Sequence, residues 1–255
     1  MRLRRLILIP LWAVLALPAL IVPAPAAEID HEQEYAACMQ LARERPEEAY
    51  KAGLAWHKLG GGFPARHCVA VALLELHQYD EAAARLERLA TDLGTARTSL
   101  LAEILMQAGQ AWSLAGRAEK ALTLQNNLLE LAPGDPDLWL DRAVSLMDLE
   151  RYEQALADLD EAIRLDPHLV EARTYRAVAL RQLDRLGEAW TEVETVLALQ
   201  AYQPDALLER GILRQYQGDL DGARADWLLV IQNDPDSRAA AAARARIEEM
   251  DVQVR

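Results

Sequence analysis

Cys38, His57, His67 and Cys68 are the side chains best suited by type to ligate a metal or to pair a nucleophile with a base. A zinc site needs two ligands on one helix face, which C-x-x-C or H-x-x-x-H spacing supplies. His67-Cys68 offers neither, so no metal or cofactor is expected. The two cysteines are an even pair, which a Cys38–Cys68 disulfide would use; two buried free thiols are the alternative. Such a bridge would stabilise the chain by about 3 kcal/mol in the chain-entropy picture. His31, His77 and His168 fall at element ends and read as surface residues.

Other catalytic patterns are missing. Gly60-Gly61-Gly62 lacks the Lys-Ser/Thr that a phosphate loop needs, and no strand pattern precedes it. Glycine supplies positive φ at a helix exit, so the trio reads as a hinge between hairpins. No G-x-S-x-G or H-E-x-x-H occurs. Acidic side chains sit on helical faces near arginines, as Glu161 does with Arg164, in solvated pairs of small energy. The expectation is a non-catalytic chain.

The elements that would position any site follow from a repeat. Ala121, Ala155, Ala189 and Ala223 stand 34 residues apart, and Ala82 shares their local context. Twelve positions before these five come Gly109, Ala143, Ala177, Gly211 and Ala70, all small. A fixed period of this length marks one supersecondary unit stacked on its own copies. Between Pro136 and Pro167, helical apolar spacing appears twice, in Leu138, Trp139, Ala143, Leu146, Met147 and then in Tyr152, Ala155, Leu156, Leu159, Ala162, Ile163. Glu150-Arg151 breaks the two runs, and Pro167 ends the second. The unit is a helical hairpin whose small residues let its two backbones approach.

This pattern resembles the tetratricopeptide repeat, on Trp139, Arg142, Ala143, Leu146, Ala155, Leu159, Ala162 and Pro167. The resemblance implies an all-α right-handed α-solenoid of about five to six hairpins. The units fall at residues 63–101 with an insertion near Gly94 to Ser99, then at 102–135, 136–169, 170–203 and 204–236. A degenerate hairpin occupies 27–62, which puts Cys38 and Cys68 on the first helices of consecutive hairpins. Residues 237–255, rich in alanine, read as a capping helix and tail, with Ser237 or Asp236 as N-cap.

Residues 1–26 begin with Arg2, Arg4 and Arg5, continue apolar from Leu6 to Val22, and reach Ala24 and Ala26 in an A-x-A arrangement. That is the layout of a secretory signal peptide, with an uncleaved inner-membrane anchor as the alternative. Cleavage takes three arginines and no carboxylate from a net charge of −13, leaving −16. So acidic a chain is expected to be repelled by nucleic acid and anionic lipid. The expected location is periplasmic or secreted.

The resemblance also implies that first helices line a concave face. The matching positions are Met106 and Gln110; Leu140, Val144 and Met147; Thr174, Val178 and Arg181; and Leu208, Ile212 and Tyr216. Acidic Glu103, Asp137, Glu171 and Asp205 lead these helices, where they also suit the N-terminal dipole. Arg181 is the sole cation in the set, so the cationic clamp with which some family members hold acidic tails is missing. The expected partner is a protein or peptide, apolar with a neutral or basic flank. The favoured function is an adaptor or scaffold of the bacterial cell envelope. The alternative is a periplasmic holdase-type chaperone or assembly factor, and a metal-dependent enzyme is the least favoured.

Overall fold

A computed structural model of the chain describes residues 31–94 and 98–253. The signal-like segment 1–26 lies outside these residues. The described residues form thirteen α-helices and no strand. Helices α1 (His31–Glu44) and α2 (Pro46–Lys58) make the first hairpin, α3 (Gly62–Glu75) and α4 (Tyr79–Leu93) the second. The third and fourth are α5 (Thr98–Leu114) with α6 (Ala118–Leu131), and α7 (Pro136–Asp148) with α8 (Tyr152–Leu165). The fifth and sixth are α9 (Val170–Gln182) with α10 (Leu186–Leu199), and α11 (Pro204–Tyr216) with α12 (Leu220–Asn233). Last comes α13 (Arg238–Gln253). No helix among the described residues is long and apolar enough to cross a membrane.

From α2 onward each helix packs chiefly on the one before and the one after it, while α1 packs on α3 as extensively as on α2. From α5 onward, first helices of successive hairpins also touch one another, while second helices make no comparable contact. The first helices therefore form the tighter, inner side of the array. The small positions work as the spacing implies: Ala143, Ala155, Ala177, Ala189 and Ala223 are fully buried where helices cross. Gly211 faces Trp227 so closely that an added Cβ would stand 2.2 Å from the indole Nε1. Trp227 is itself wholly buried, and its Nε1–H donates to the Leu208 carbonyl at 3.1 Å.

The turns inside the second to sixth hairpins share one device. Gly116, Glu150, Asp184 and Gly218, again 34 apart, all take positive φ between 58° and 81°, and His77 does the same at 57° in the second hairpin. Helix starts are fixed by Pro136 and Pro204 at the first turn, with Asp135 accepting from the Asp137 N–H at 3.0 Å. Ser237 caps α13, its Oγ accepting from the Ala240 N–H at 3.1 Å.

The insertion behaves differently from expectation. Gly94 ends α4, but α5 starts at Thr98, four residues ahead of the unit boundary at Ala102. Leu100 and Leu101 pack against the core around Ile104, Ala108 and Leu86, and that burial draws the added residues into a longer helix.

An arginine ladder ties the last three full hairpins together. Arg142, Arg176 and Arg210 each precede the small residue of a first helix. Arg142 donates to both oxygens of Asp158 at 2.7 Å and to the Asn126 Oδ1 at 2.9 Å. Arg176 bridges Glu192 at 2.8 Å and Asp160 at 2.7 Å. Arg210 holds Asp226 at 2.8 and 2.9 Å and reaches Glu194 at 3.5 Å. Every arginine thus joins its own second helix, sixteen residues ahead, to the preceding second helix, sixteen behind.

Candidate binding trough on the first helices

Because the first helices make the inner side, their solvent-facing residues share one surface. Between α5, α7 and α9 lies a concavity of about 400 Å³ lined by Gln110, Ser113, Leu114, Leu140, Asp141, Val144, Glu171 and Tyr175. A second, of about 540 Å³, lies between α9, α11 and α13 and includes Tyr175, Pro204, Asp205, Leu208 and Arg238. Tyr175 is the wall common to both, and 38% of its surface is exposed.

Asp141 lines the first concavity. Its side chain accepts from the Gln110 Nε2 at 3.2 Å, and its backbone carbonyl accepts from the Gln125 Nε2 at 3.0 Å. Burial pushes its carboxyl pKa up, against the Gln110 hydrogen bond, with Asp137 and Asp135 adding to the rise. The Tyr175 phenol is raised by burial and then by Asp205, Asp148 and Asp141, with Arg238 opposing them. Asp148 is raised by burial and eased by Arg238. The trough therefore combines apolar floor patches with carboxylates that share one potential, and Arg238 is the cation at its far end.

The residues expected here are only partly together. Gln110, Leu140 and Val144 line the first concavity and Leu208 the second. Met106 and Met147 turn half of their surface into the cores beneath α6 and α8. Val178 is half-buried, and Tyr216 stands 64% exposed at the end of α11. Three expectations are corrected. Thr174 is buried with its hydroxyl donating to the Val170 carbonyl at 2.9 Å, and its neighbour Tyr175 occupies the surface instead. Ile212 lies under α13, in a cluster with Ala243, Met250 and Ile247, because the capping helix covers this end. Arg181 is bound to the buried Glu209 and is held away from the surface. Burial keeps the Glu209 pKa above the ordinary value despite the opposing Arg181. Asp141 and Tyr175, one position after Leu140 and Thr174, were missed; the signal for them was an acidic and an aromatic residue at equivalent places in adjacent units.

Cys38, Cys68 and His67 tie helices together. Cys38 and Cys68 form a disulfide that joins α1 to α3, with Cα atoms 6.1 Å apart. His67, a candidate ligand by residue type, is buried at 1% exposure. Its Nε2–H donates to the Gln107 Oε1 at 2.8 Å, and its Nδ1 accepts from the Tyr35 hydroxyl at 2.6 Å. That assignment follows from Gln107 presenting an oxygen, which can only accept. Three helices, α1, α3 and α5, meet at this ring. No group of three or more His, Cys, Asp or Glu side chains among the described residues is arranged to hold a metal ion.

Gly60 and Gly62 take positive φ between α2 and α3, and the buried Gly61 between them leaves no room for a side chain beside Trp56 and Ala65. The glycine trio is a tight inter-hairpin link.

Comparisons with known proteins agree with this architecture. Residues 114–181 and 205–237 each match a family model described as tetratricopeptide repeat. No curated protein matches the sequence. Among solved structures, MamA (residues 41 to the end) from Desulfovibrio magneticus RS-1 superposes with a TM-score of 0.61 at 16% identity, covering 70% of this chain and 99% of its own. Pseudomonas aeruginosa PilF gives 0.61 at 16%, covering 85% and 99%. YrrB, described as a TPR protein with an unusual peptide-binding site, gives 0.51 at 20%, covering 75% and 96%. At these identities the likeness is one of fold.

Proposed function

This chain is a tetratricopeptide-repeat protein, and from that premise we propose that it is a non-catalytic scaffold of the bacterial cell envelope, holding a partner polypeptide in the trough of its first helices. The carrying observation is the pair Asp141 and Tyr175. A carboxylate and a phenol stand over Leu140 and Val144, with Glu171 and Asp205 at the rim. A carboxylate kept half-buried at an energetic cost is characteristic of a functional position. The partner segment is apolar with basic side chains: aliphatic stems lie on Leu140 and Val144, and the cationic ends meet Asp141 and Glu171. Nucleic acid is disfavoured by the same charge. YrrB, which shares this fold and is described as having a peptide-binding site, supports the reading by fold analogy alone.

The envelope location rests on two features. The first is the signal-like layout of residues 1–26. The second is the Cys38–Cys68 disulfide, a bond that persists in oxidising compartments.

The test uses the chain without residues 1–26 on an array of 15-residue peptides of graded charge and hydropathy. Apolar peptides carrying two or more Lys or Arg are expected to bind. A Leu140→Glu/Tyr175→Ala double variant loses them, and an Asp141→Lys/Glu171→Lys variant shifts preference toward acidic peptides. Retention of every apolar peptide irrespective of charge, together with suppressed aggregation of unfolded clients, would replace the scaffold with a holdase. Unchanged binding in both variants removes the trough from the account.

A further inference from the structure

The ladder of Arg142, Arg176 and Arg210 is absent from the first three hairpins: the third has Ala108 and Leu124 in place of the arginine and its carboxylate, and between the first two a cation takes the carboxylate's place. Counting from Ala70, the small residue matching Ala143, the arginine's place is taken by Val69. The place of Asp158, Glu192 and Asp226 is taken by Arg85, and that of Asn126, Asp160 and Glu194 by Gly53. A cation therefore stands where the last three full hairpins carry a carboxylate, and Val69 holds the place of its arginine. Gly53 has no side chain, and a Cβ there would lie 2.8 Å from the Val69 methyl.

The result is a small cavity of about 90 Å³ between α2, α3 and α4, lined by Leu54, His57, Arg66, Val69, Arg85 and Arg88. Arg66 is tethered to Asp92 at 2.6 Å and Arg85 to Glu81 at 2.7 Å, which fixes two guanidinium groups at the rim. Arg88 and His57 have no side-chain partner among the described residues. Three guanidiniums face two carboxylates, leaving one uncompensated positive charge in a chain whose net charge is −13. In the last three full hairpins the protein supplies the matching anion itself.

We propose that this cavity binds a small tetrahedral oxyanion of the phosphate class. Guanidinium groups present paired N–H donors at the spacing of phosphate oxygens, and several of them around one space favour a multivalent oxyanion over chloride. The volume admits a group of a few heavy atoms. The site lies on the side of α2 and α4, apart from the trough of first helices, so the two can be loaded independently.

The experiment is calorimetric titration of the chain without residues 1–26 with inorganic phosphate, sulfate, acetate or chloride at matched ionic strength, with thermal melts in parallel. Phosphate and sulfate are expected to bind at one site per chain and to raise the melting midpoint, while acetate and chloride do neither. Arg88→Ala, a change at an exposed residue, is expected to weaken phosphate at least tenfold with the helical signal intact. Arg164→Ala, on the far side of the array, leaves binding unchanged. An equal midpoint rise with chloride, equal binding of acetate and phosphate, or undiminished binding by Arg88→Ala overturns the proposal. A dipalmitoyl phosphatidate vesicle arm separates a free ion from a lipid headgroup: the free ion is expected, and binding of vesicles with none of inorganic phosphate also overturns it.

Discussion

Arg142 and Asp158, sixteen residues apart on opposite helices of one hairpin, meet through two parallel N–H···O bonds of 2.7 Å each. Asp158 is 4% exposed, so the arginine stands in for the water its carboxylate has lost. Removing the arginine strands a buried carboxylate, which costs about 3 kcal/mol. Arg142→Met is expected to lower urea-unfolding stability by that order. An Arg142→Met/Asp158→Leu double variant should recover most of it, because the desolvation cost disappears with the charge. Arg164→Ala, which breaks the surface pair with Glu161, should leave the unfolding midpoint where it was. A double variant no better than the single would show that the ladder contributes through packing and not through charge.

The hairpin turn at Asp184 holds a non-glycine residue at φ 59°, while equivalent turns use Gly116 and Gly218. An L side chain in the left-handed region is disfavoured by about 1 kcal/mol. Asp184→Gly and Glu150→Gly are each expected to raise stability by several tenths of that, net of the entropy glycine adds to the unfolded chain. Two-state unfolding curves check this, and a loss in both variants would mean that the side chains make compensating contacts.

The fold was readable because its determinants repeat. Ala143, Ala177 and Gly211 cannot be enlarged without separating helices, so the period of small residues is also the period of crossings. The ladder was equally present in the sequence, as Arg and Asp or Glu recurring sixteen apart, but looking for one residue type at a time hides a pairwise pattern. The trough was half legible. Leu140 and Val144 follow from helix position, whereas Thr174 fails because its hydroxyl returns to its own backbone, a choice invisible in spacing. Ile212 fails because its cover, α13, belongs to no repeat. His67 was unreadable for a third reason: its two partners, Tyr35 and Gln107, lie 32 and 40 residues away.

The Cys38–Cys68 bridge crosses from α1 to α3, and Cys38 and Ala42 are the only buried residues of α1. With so little apolar burial, α1 depends on the bond. Reduction, or Cys38→Ala/Cys68→Ala, is expected to lower stability by about 3 kcal/mol and to do so first at α1. Hydrogen exchange with and without reductant reads this out. Unchanged protection of α1 would transfer its anchoring to the Tyr35–His67 bond.

Burial holds the His67 pKa below the ordinary imidazole value, against the Gln107 hydrogen bond and Glu103. As pH falls below about 6.5 the unfolded chain takes up a proton that the folded chain resists. Stability attributed to neutral His67 is complete above that pH and is lost as pH falls through the depressed folded value. The parent midpoint is expected to fall between pH 7.5 and 5 more steeply than that of His67→Gln, which keeps polar groups near Tyr35 and Gln107 but does not titrate. Parallel curves would show that His67 takes up its proton over the same pH range in the folded and unfolded chains.

Asp141 tests the trough and the fold in opposite directions. Its carboxyl pKa is raised by burial, so between the unfolded value near about 3.9 and the higher folded value the folded chain binds more protons. Its contribution to stability is most favourable below that window and is lost as pH rises through it. Asp141→Asn keeps an oxygen for the Gln110 donor and removes the charge. The variant is therefore expected to melt higher than the parent at pH 7, by a few degrees, and to converge with it near pH 3.5. Binding should move the other way, with basic apolar peptides held at least fivefold more weakly at pH 7. A residue kept for structure would lose stability when changed and leave peptide affinity alone. If the asparagine variant is both less stable and equally competent to bind, Asp141 is a structural group and the cationic end of the partner must be met by Glu171 or Asp205.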